Sequence, residues 1–170
     1  MIFDRAEQVR KLASDTAVMR FAAQIDFWIL LAQHCPAKGT REIANGTRDI
    51  DVVPANGIGR ALITALDQFG SVSNHPELSR SAMIYFGMSG TGSLAARMVD
   101  FIPERTIGSV EYVPDQEDPV GINTVTIKDK ALAVPQFIIA NGGDKDVDTV
   151  RPYAYFEQYR KHGAPLTFLI

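Results

Sequence analysis

The hydrophobic pattern of this chain alternates between two periods. At 4–23, Val9, Leu12 and Ala13, then Val18, Phe21 and Ala22, recur at helical spacing with Arg and Lys between them. Ser14, Asp15 and Thr16 interrupt that pattern, and all three are good N-caps able to open a second helix. The run DFWILLAQ at 26–33 carries aromatic and β-branched residues without a polar break, which predicts a strand buried on both faces. Residues 34–56 hold Pro36, Gly39, Asn45-Gly46, Pro54 and Asn56-Gly57 and predict turns. So long a stretch without an element implies a functional loop or an unrecognised element.

Beyond it the alternation is regular. IGRALITALDQF at 58–69 predicts an amphipathic helix, SAMIYFG at 81–87 a buried strand, and SLAARMVDFI at 93–102 a helix. TIGSVEYV at 106–113 predicts a third strand and PQFIIAN at 135–141 a fourth, while 114–134 is ambiguous apart from an extended NTVTI. A helix at 150–163 stops at Gly163, with Lys161 and His162 in its last turn where the helix dipole favours cations. APLTFLI at 164–170 predicts a fifth strand. Strands alternating with helices predict an α/β fold, a mostly parallel sheet flanked by helices on both faces.

Composition narrows the function classes. The 170 residues suffice for a single domain, 1–170, with a real core. The formal net charge is −3 and no basic block stands out, which argues against nucleic acid as a partner. The one cysteine, Cys35, excludes an internal disulfide framework. The start of the chain lacks a signal-peptide pattern, and the apolar run at 27–32 is far short of the ~20 residues of a membrane span. The expectation is a cytoplasmic protein without a membrane partner. Asn45-Gly46-Thr47 fits a glycosylation sequon, a triplet that arises often by chance. No His/Cys/Asp cluster has metal-ligand spacing, and an aspartate-rich surface loop accounts for Asp144, Asp146 and Asp148 better than a cation site does.

The chemistry concentrates in MIYFGMSGTGSL at 83–94. Strand, glycine turn and helix serve two machines. In a nucleophile elbow, Ser89 sits on the turn, Gly87 stands two residues before it, and the N–H of Gly90 points into an oxyanion hole. Thr91 departs from the second glycine of G-x-S-x-G, although Gly90 and Gly92 keep the turn slim. In a dinucleotide loop, Gly87, Gly90 and Gly92 cradle a phosphate and Glu111, 19 residues beyond Gly92, meets a ribose. A plain structural turn is the third reading. Downstream residues separate them, because a nucleophilic serine needs a base and the base an orienting carboxylate. PQFIIANGGDKDVD supplies an apolar strand, glycines and Asp144, with Asp146 and Asp148 as competing acids. Taken alone, those aspartates read as a solvated loop capping the next helix.

The segment HPELSRSAMIYFGMSGTGSLAARMVDFIPERTIGSVEYV resembles the central part of an α/β-hydrolase, and VPQFIIANGGDKD followed by RPYAYFEQYRKHGAPLTFLI resembles that family's acid-bearing strand, next helix and following strand. The likeness is to esterase and polyester-depolymerase-like serine hydrolases and runs from about residue 57 to 170. It implies Ser89 as nucleophile, Gly90 as an oxyanion donor, Asp144 as triad acid with Asp146 as alternative, and Met88 as a residue lining the pocket or packing beside the nucleophile. It implies a small-molecule ester as substrate, and no cofactor and no metal.

The resemblance also implies a histidine after the final strand, and none follows. His162 reads as a helix-end cation, His75 as structural, and His34 is out of order for the family. The loop bearing the second oxyanion donor is expected upstream of Met1. The reading is thus a hydrolase core lacking the first strands and the C-terminal histidine loop. Such a core exposes sheet edges, LTFLI among them, and is expected to form a homo-oligomer through them. Two alternatives remain: a non-catalytic hydrolase-like core, and an NAD(P)-dependent reductase using the Gly87/Gly90/Gly92 loop.

Overall fold

The fold was obtained as a computed structural model that describes residues 1–4, 6–33, 52–114, 125–145 and 147–170. It contains strands β1 (Ile2–Asp4), β2 (Leu31–Gln33), β3 (Met83–Met88), β4 (Thr106–Tyr112), β5 (Gln136–Ile139) and β6 (Leu166–Leu169). The helices are α1 (Ala6–Ser14), α2 (Thr16–Gln24), α3 (Ile58–Ser73), α4 (Gly90–Phe101) and α5 (Val150–Lys161). All pairings are parallel, in the order β2-β1-β3-β4-β5-β6. The chain is therefore an α/β protein with a parallel sheet and flanking helices.

The helix boundaries follow local chemistry. Asp15 opens α2, its Oδ1 accepting the N–H groups of Ala17 and Val18 at 2.8 and 3.2 Å, so the break in the pattern at 14–16 is a cap between two helices. Helix α3 extends past 69 to Ser73 and ends where Asn74 turns left-handed at φ 60°. Helix α5 stops before Gly163, at φ 83°.

The run at 26–33 differs from expectation. Only Leu31–Gln33 is strand. Asp26 sits at φ 55°, the N–H of Phe27 closes back on the carbonyl of Ala22 at 2.8 Å, and Phe27 and Trp28 are half exposed. The aromatic residues are spent outside the sheet, Trp28 standing edge-on to His75 with ring centroids 4.6 Å apart.

A second difference matters more. The strand Ile2–Asp4, too short to carry an alternation, lies inside the sheet between β2 and β3, with Ile2 opposite Phe86 and Phe3 opposite Gly87. The N–H of Phe86 donates to the carbonyl of Met1 at 2.8 Å. Strand β1 therefore ends beside the end of β3.

Strand order fixes which face each helix covers. From β2 onward the chain moves across the sheet in one direction, and right-handed crossovers place α3, α4 and α5 on one face. The step from β1 to β2 runs the other way and carries α1 and α2 to the opposite face. The core lies under α3–α5 in two clusters. Tyr85, Leu94, Ala95 and Met98 anchor one with Leu62, Leu66 and Met83. Val99, Ile138, Tyr155 and Leu166 anchor the other with Val125 and Ile127. The described part of NTVTI thus packs as core rather than as sheet, with the N–H of Ile127 donating to the Tyr159 hydroxyl at 3.3 Å. Among the described residues no helix is long and apolar enough to cross a membrane.

Candidate active site

Strand β3 occupies the middle of the sheet and hands over to α4 through one residue, Ser89. Its backbone stands at φ 55° and ψ −131°, a conformation with positive φ that side-chain-bearing residues rarely adopt. The turn is held on both sides. The N–H of Ser89 donates to the carbonyl of Tyr112 on β4 at 3.0 Å, and its carbonyl accepts the N–H of Gly92 at 2.8 Å. A serine at a helix N-cap usually gives its hydroxyl to the first turn, but Ser89 makes no such bond. The residue is half-buried at the carboxyl end of a parallel strand. The N–H of Gly90, at the first helical position, is one that the helix itself cannot satisfy, and it points with the positive end of the helix dipole.

The three glycines do different things. A β-carbon on Gly87 would lie 1.9 Å from the carbonyl oxygen of Thr91, so no other residue fits there. A β-carbon on Gly92 would come within 3.2 Å of Pro114, which follows β4. Gly90 faces open space and has no positive φ, so its role in slimming the turn, expected from the sequence, is not required. Thr91 stands where the pattern asks for glycine, and its hydroxyl grips the turn. Thr91 Oγ1 donates to the carbonyl of Met88 at 2.7 Å and accepts the N–H of Met88 at 3.0 Å. The departure from G-x-S-x-G was the one signal in the sequence that pointed to it. Met88 itself is half-buried on the strand face away from α4.

Asp144 follows β5, two strands from β3, so the two strand ends stand about 10 Å apart across the sheet. It is half-buried, and its N–H donates to the carbonyl of Asn141 at 3.0 Å while its Oδ1 accepts the N–H of Val147 at 3.2 Å. Asp148 is a helix-capping residue. It accepts the N–H groups of Val150 and Arg151, both at 3.0 Å, and pairs with the Arg151 guanidinium. Those bonds, the Arg151 N–H first among them, hold its carboxyl below the usual range. Asp146, the alternative acid, lies outside the described residues, as do His34, Cys35 and Asn45.

The two described histidines stand at the other edge. A helix that follows a parallel strand runs back, so His162 at the end of α5 sits at the amino edge of the sheet. His75 precedes β3, pairs with Glu77 at 2.7 Å and belongs to the same edge. Six residues of β3 separate that edge from Ser89, about 20 Å. Two cavities of ≈ 290 and ≈ 300 Å³ also open at this edge, around Trp28, Leu30, Leu66 and Leu78, away from the serine.

Glu111 lies on β4 opposite Gly87 and is fully buried. Burial pushes its carboxyl up to about 8, against the opposing effect of the nearby Ser109 hydroxyl. Among the described residues, neither Glu111 oxygen, nor Ser109 Oγ, nor Gln136 Nε2 reaches a hydrogen-bond partner in good geometry. Gln136 holds Tyr155 through its other end, the Tyr155 hydroxyl donating to Oε1 at 2.9 Å. A carboxyl with no exposed surface offers no contact to a ribose. Among the described residues no three His, Cys, Asp or Glu side chains gather as a metal site.

No family model matches this chain, and no curated protein matches it. The site is defined by its own geometry: a strained, uncapped serine on a one-residue strand-to-helix turn, an aspartate loop two strands away, and a polar patch buried beneath.

Proposed function

We propose that the chain is a serine hydrolase of the carboxylesterase type, in the manner of the α/β-hydrolases it resembles. The observation that carries the reading is Ser89, at φ 55° with its hydroxyl unused, at the carboxyl end of the central strand. Strain is retained at a non-glycine residue when the surrounding fold over-determines it, and such positions cluster at reacting sites. In the proposed reaction Ser89 Oγ bonds to the carbonyl carbon of an ester, and its proton passes to a base. The carbonyl oxygen becomes an oxyanion facing the Gly90 N–H. Collapse expels the alcohol, which takes up the proton, and water then releases the acid from the acyl-serine. Asp144 serves as the acid that orients the base. The base is not among the described residues, so the proposal rests on the nucleophile and the oxyanion donor.

Incubation with a fluorophosphonate and peptide mass spectrometry tests this. We expect a phosphonyl adduct on Ser89, lost in Ser89→Ala. We also expect added imidazole to speed labelling, because a general base contributes about 10²–10⁴-fold and neither His75 nor His162 is in place to do so. A second reading, a hydrolase-like core without turnover, rests on the same placement of the histidines; it predicts no adduct with or without imidazole. Thermal stabilisation by a dinucleotide in place of an adduct would favour a reductase, a reading that the burial of Glu111 leaves without a ribose ligand.

Self-association belongs to the same proposal. Strand β6 pairs only with β5 among the described residues, and Tyr112, Phe137 and Leu169 are exposed on the sheet face away from α3–α5. Apolar edges and faces of this kind favour contact with a second copy.

A further inference from the structure

Resting on the reading of Ser89 as nucleophile, we infer that Thr91 is a positioning residue that locks the serine in its reactive conformation through the hydroxyl it sets against both backbone groups of Met88. The paired register between β1 and β3 ends at Phe3 opposite Gly87, one residue before Met88. Along β3, the N–H of Phe86 points to the β1 side, bonding Met1, and Met88, two residues on, points the same way; Ser89 points to β4, bonding Tyr112. Met88 is the last residue of the strand before the turn. Thr91 Oγ1 acts there as a further rung, accepting from the N–H at 3.0 Å and donating to the carbonyl at 2.7 Å. Because Thr91 sits in the first turn of α4, this rung ties the end of the strand to the start of the helix and spans the single residue between them.

The lock has a steric half as well. The carbonyl of Thr91 lies against the α-carbon of Gly87, where a β-carbon would approach it to 1.9 Å. Thr91 thus touches the strand at Gly87 through its backbone and at Met88 through its side chain, and Ser89 is confined between. A glycine in its place would leave the steric contact and lose the hydroxyl. Thr91 is nearly buried, at 8% exposure, so water does not readily replace that hydroxyl. Freed from it, Ser89 can relax from φ 55° toward ordinary backbone, and the angle between Oγ and the Gly90 N–H is lost. Geometric errors of this size at a reacting atom carry large rate penalties.

Thr91→Val keeps the shape and removes the hydroxyl; Thr91→Ser keeps the hydroxyl. Two readouts are taken on both variants and on the parent chain: the rate of Ser89 labelling by a fluorophosphonate in imidazole buffer, and amide hydrogen exchange across 88–92. For Thr91→Val we expect labelling slowed about tenfold and exchange in the turn raised about tenfold, the loss of roughly one to two buried hydrogen bonds. Thr91→Ser should recover most of both, which a role confined to packing would not produce. Unchanged labelling and exchange in Thr91→Val would overturn the inference, as would equal losses in the two variants. If the parent chain takes no label while exchange still responds to Thr91→Val, the hydrolase reading fails and the lock on the turn stands. A labelled parent with an indifferent Thr91→Val keeps the hydrolase reading and overturns the lock.

Discussion

Replacing Ser89 by glycine should make the protein more stable, and by more than replacing it by alanine. Ser89 holds φ 55° and ψ −131°, and its hydroxyl caps nothing. Removing the hydroxyl alone, as in Ser89→Ala, therefore removes no capping bond and leaves the β-carbon in the same strained geometry. Ser89→Gly removes the β-carbon. The backbone strain of such a residue is about 1–3 kcal/mol. Against it stands the greater freedom of glycine in the unfolded chain, about 0.5–1 kcal/mol. The balance is about 1 kcal/mol in favour of glycine, which for a chain of this size raises Tm by about 2–4 °C relative to Ser89→Ala. Differential scanning calorimetry or a urea titration on the two variants, at the same protein concentration, measures it. A Ser89→Gly chain equal to or less stable than Ser89→Ala would refute the strain, and with it the physical basis for assigning Ser89 a reacting role.

Three further outcomes follow from the same geometry. Gly87→Ala should destabilise by more than about 3 kcal/mol, since its β-carbon would meet the Thr91 carbonyl at 1.9 Å, whereas Gly90→Ala, facing open space, should change stability by less than about 1 kcal/mol; parallel melting curves check the contrast. Glu111 gives a pH dependence: with its folded carboxyl at about 8 and its ordinary value at 4.5, the native state binds the extra proton, so stability present below pH 4.5 is lost as pH rises toward 8, by up to about 5 kcal/mol. Glu111→Gln should flatten that fall in urea titrations at about pH 5 and pH 8. Sedimentation velocity over a range of concentrations should show dimers or larger species, and Leu169→Lys on the edge strand should shift them toward monomer; a monomer at every concentration would count against the edge contact.

What the sequence made legible is the repeating part of the fold. The strands at Met83–Met88, Thr106–Tyr112 and Gln136–Ile139 and the helices α3, α4 and α5 show their apolar pattern in the sequence. The first strand was hidden because three residues, Ile2–Asp4, carry no period, and their place in the sheet is set by pairing with Phe86 and Gly87 far along the chain. The apolar run at 26–33 misled for the opposite reason. Composition alone does not distinguish a buried strand from a surface turn that packs Trp28 on His75. At the elbow, the sequence pointed to Ser89 and Gly87 through a steric rule, and the structure gives that rule its distance. It did not single out the Thr91 hydroxyl, because a threonine in place of glycine reads as a defect until both of its bonds to Met88 are seen. The separation of Asp144 from Asp148 likewise needed hydrogen bonds: Asp148 accepts from Val150 and Arg151 at the start of α5, whereas Asp144 accepts from Val147 in the loop.

Ser89 is proposed to be a mounted nucleophile. The most direct test is intact-mass and peptide mapping of the chain after fluorophosphonate treatment, with and without imidazole, beside Ser89→Ala. One adduct is expected, located on Ser89, formed faster with imidazole and absent from the alanine variant. A chain that stays unmodified under both conditions, or that carries its adduct on another serine, would contradict it.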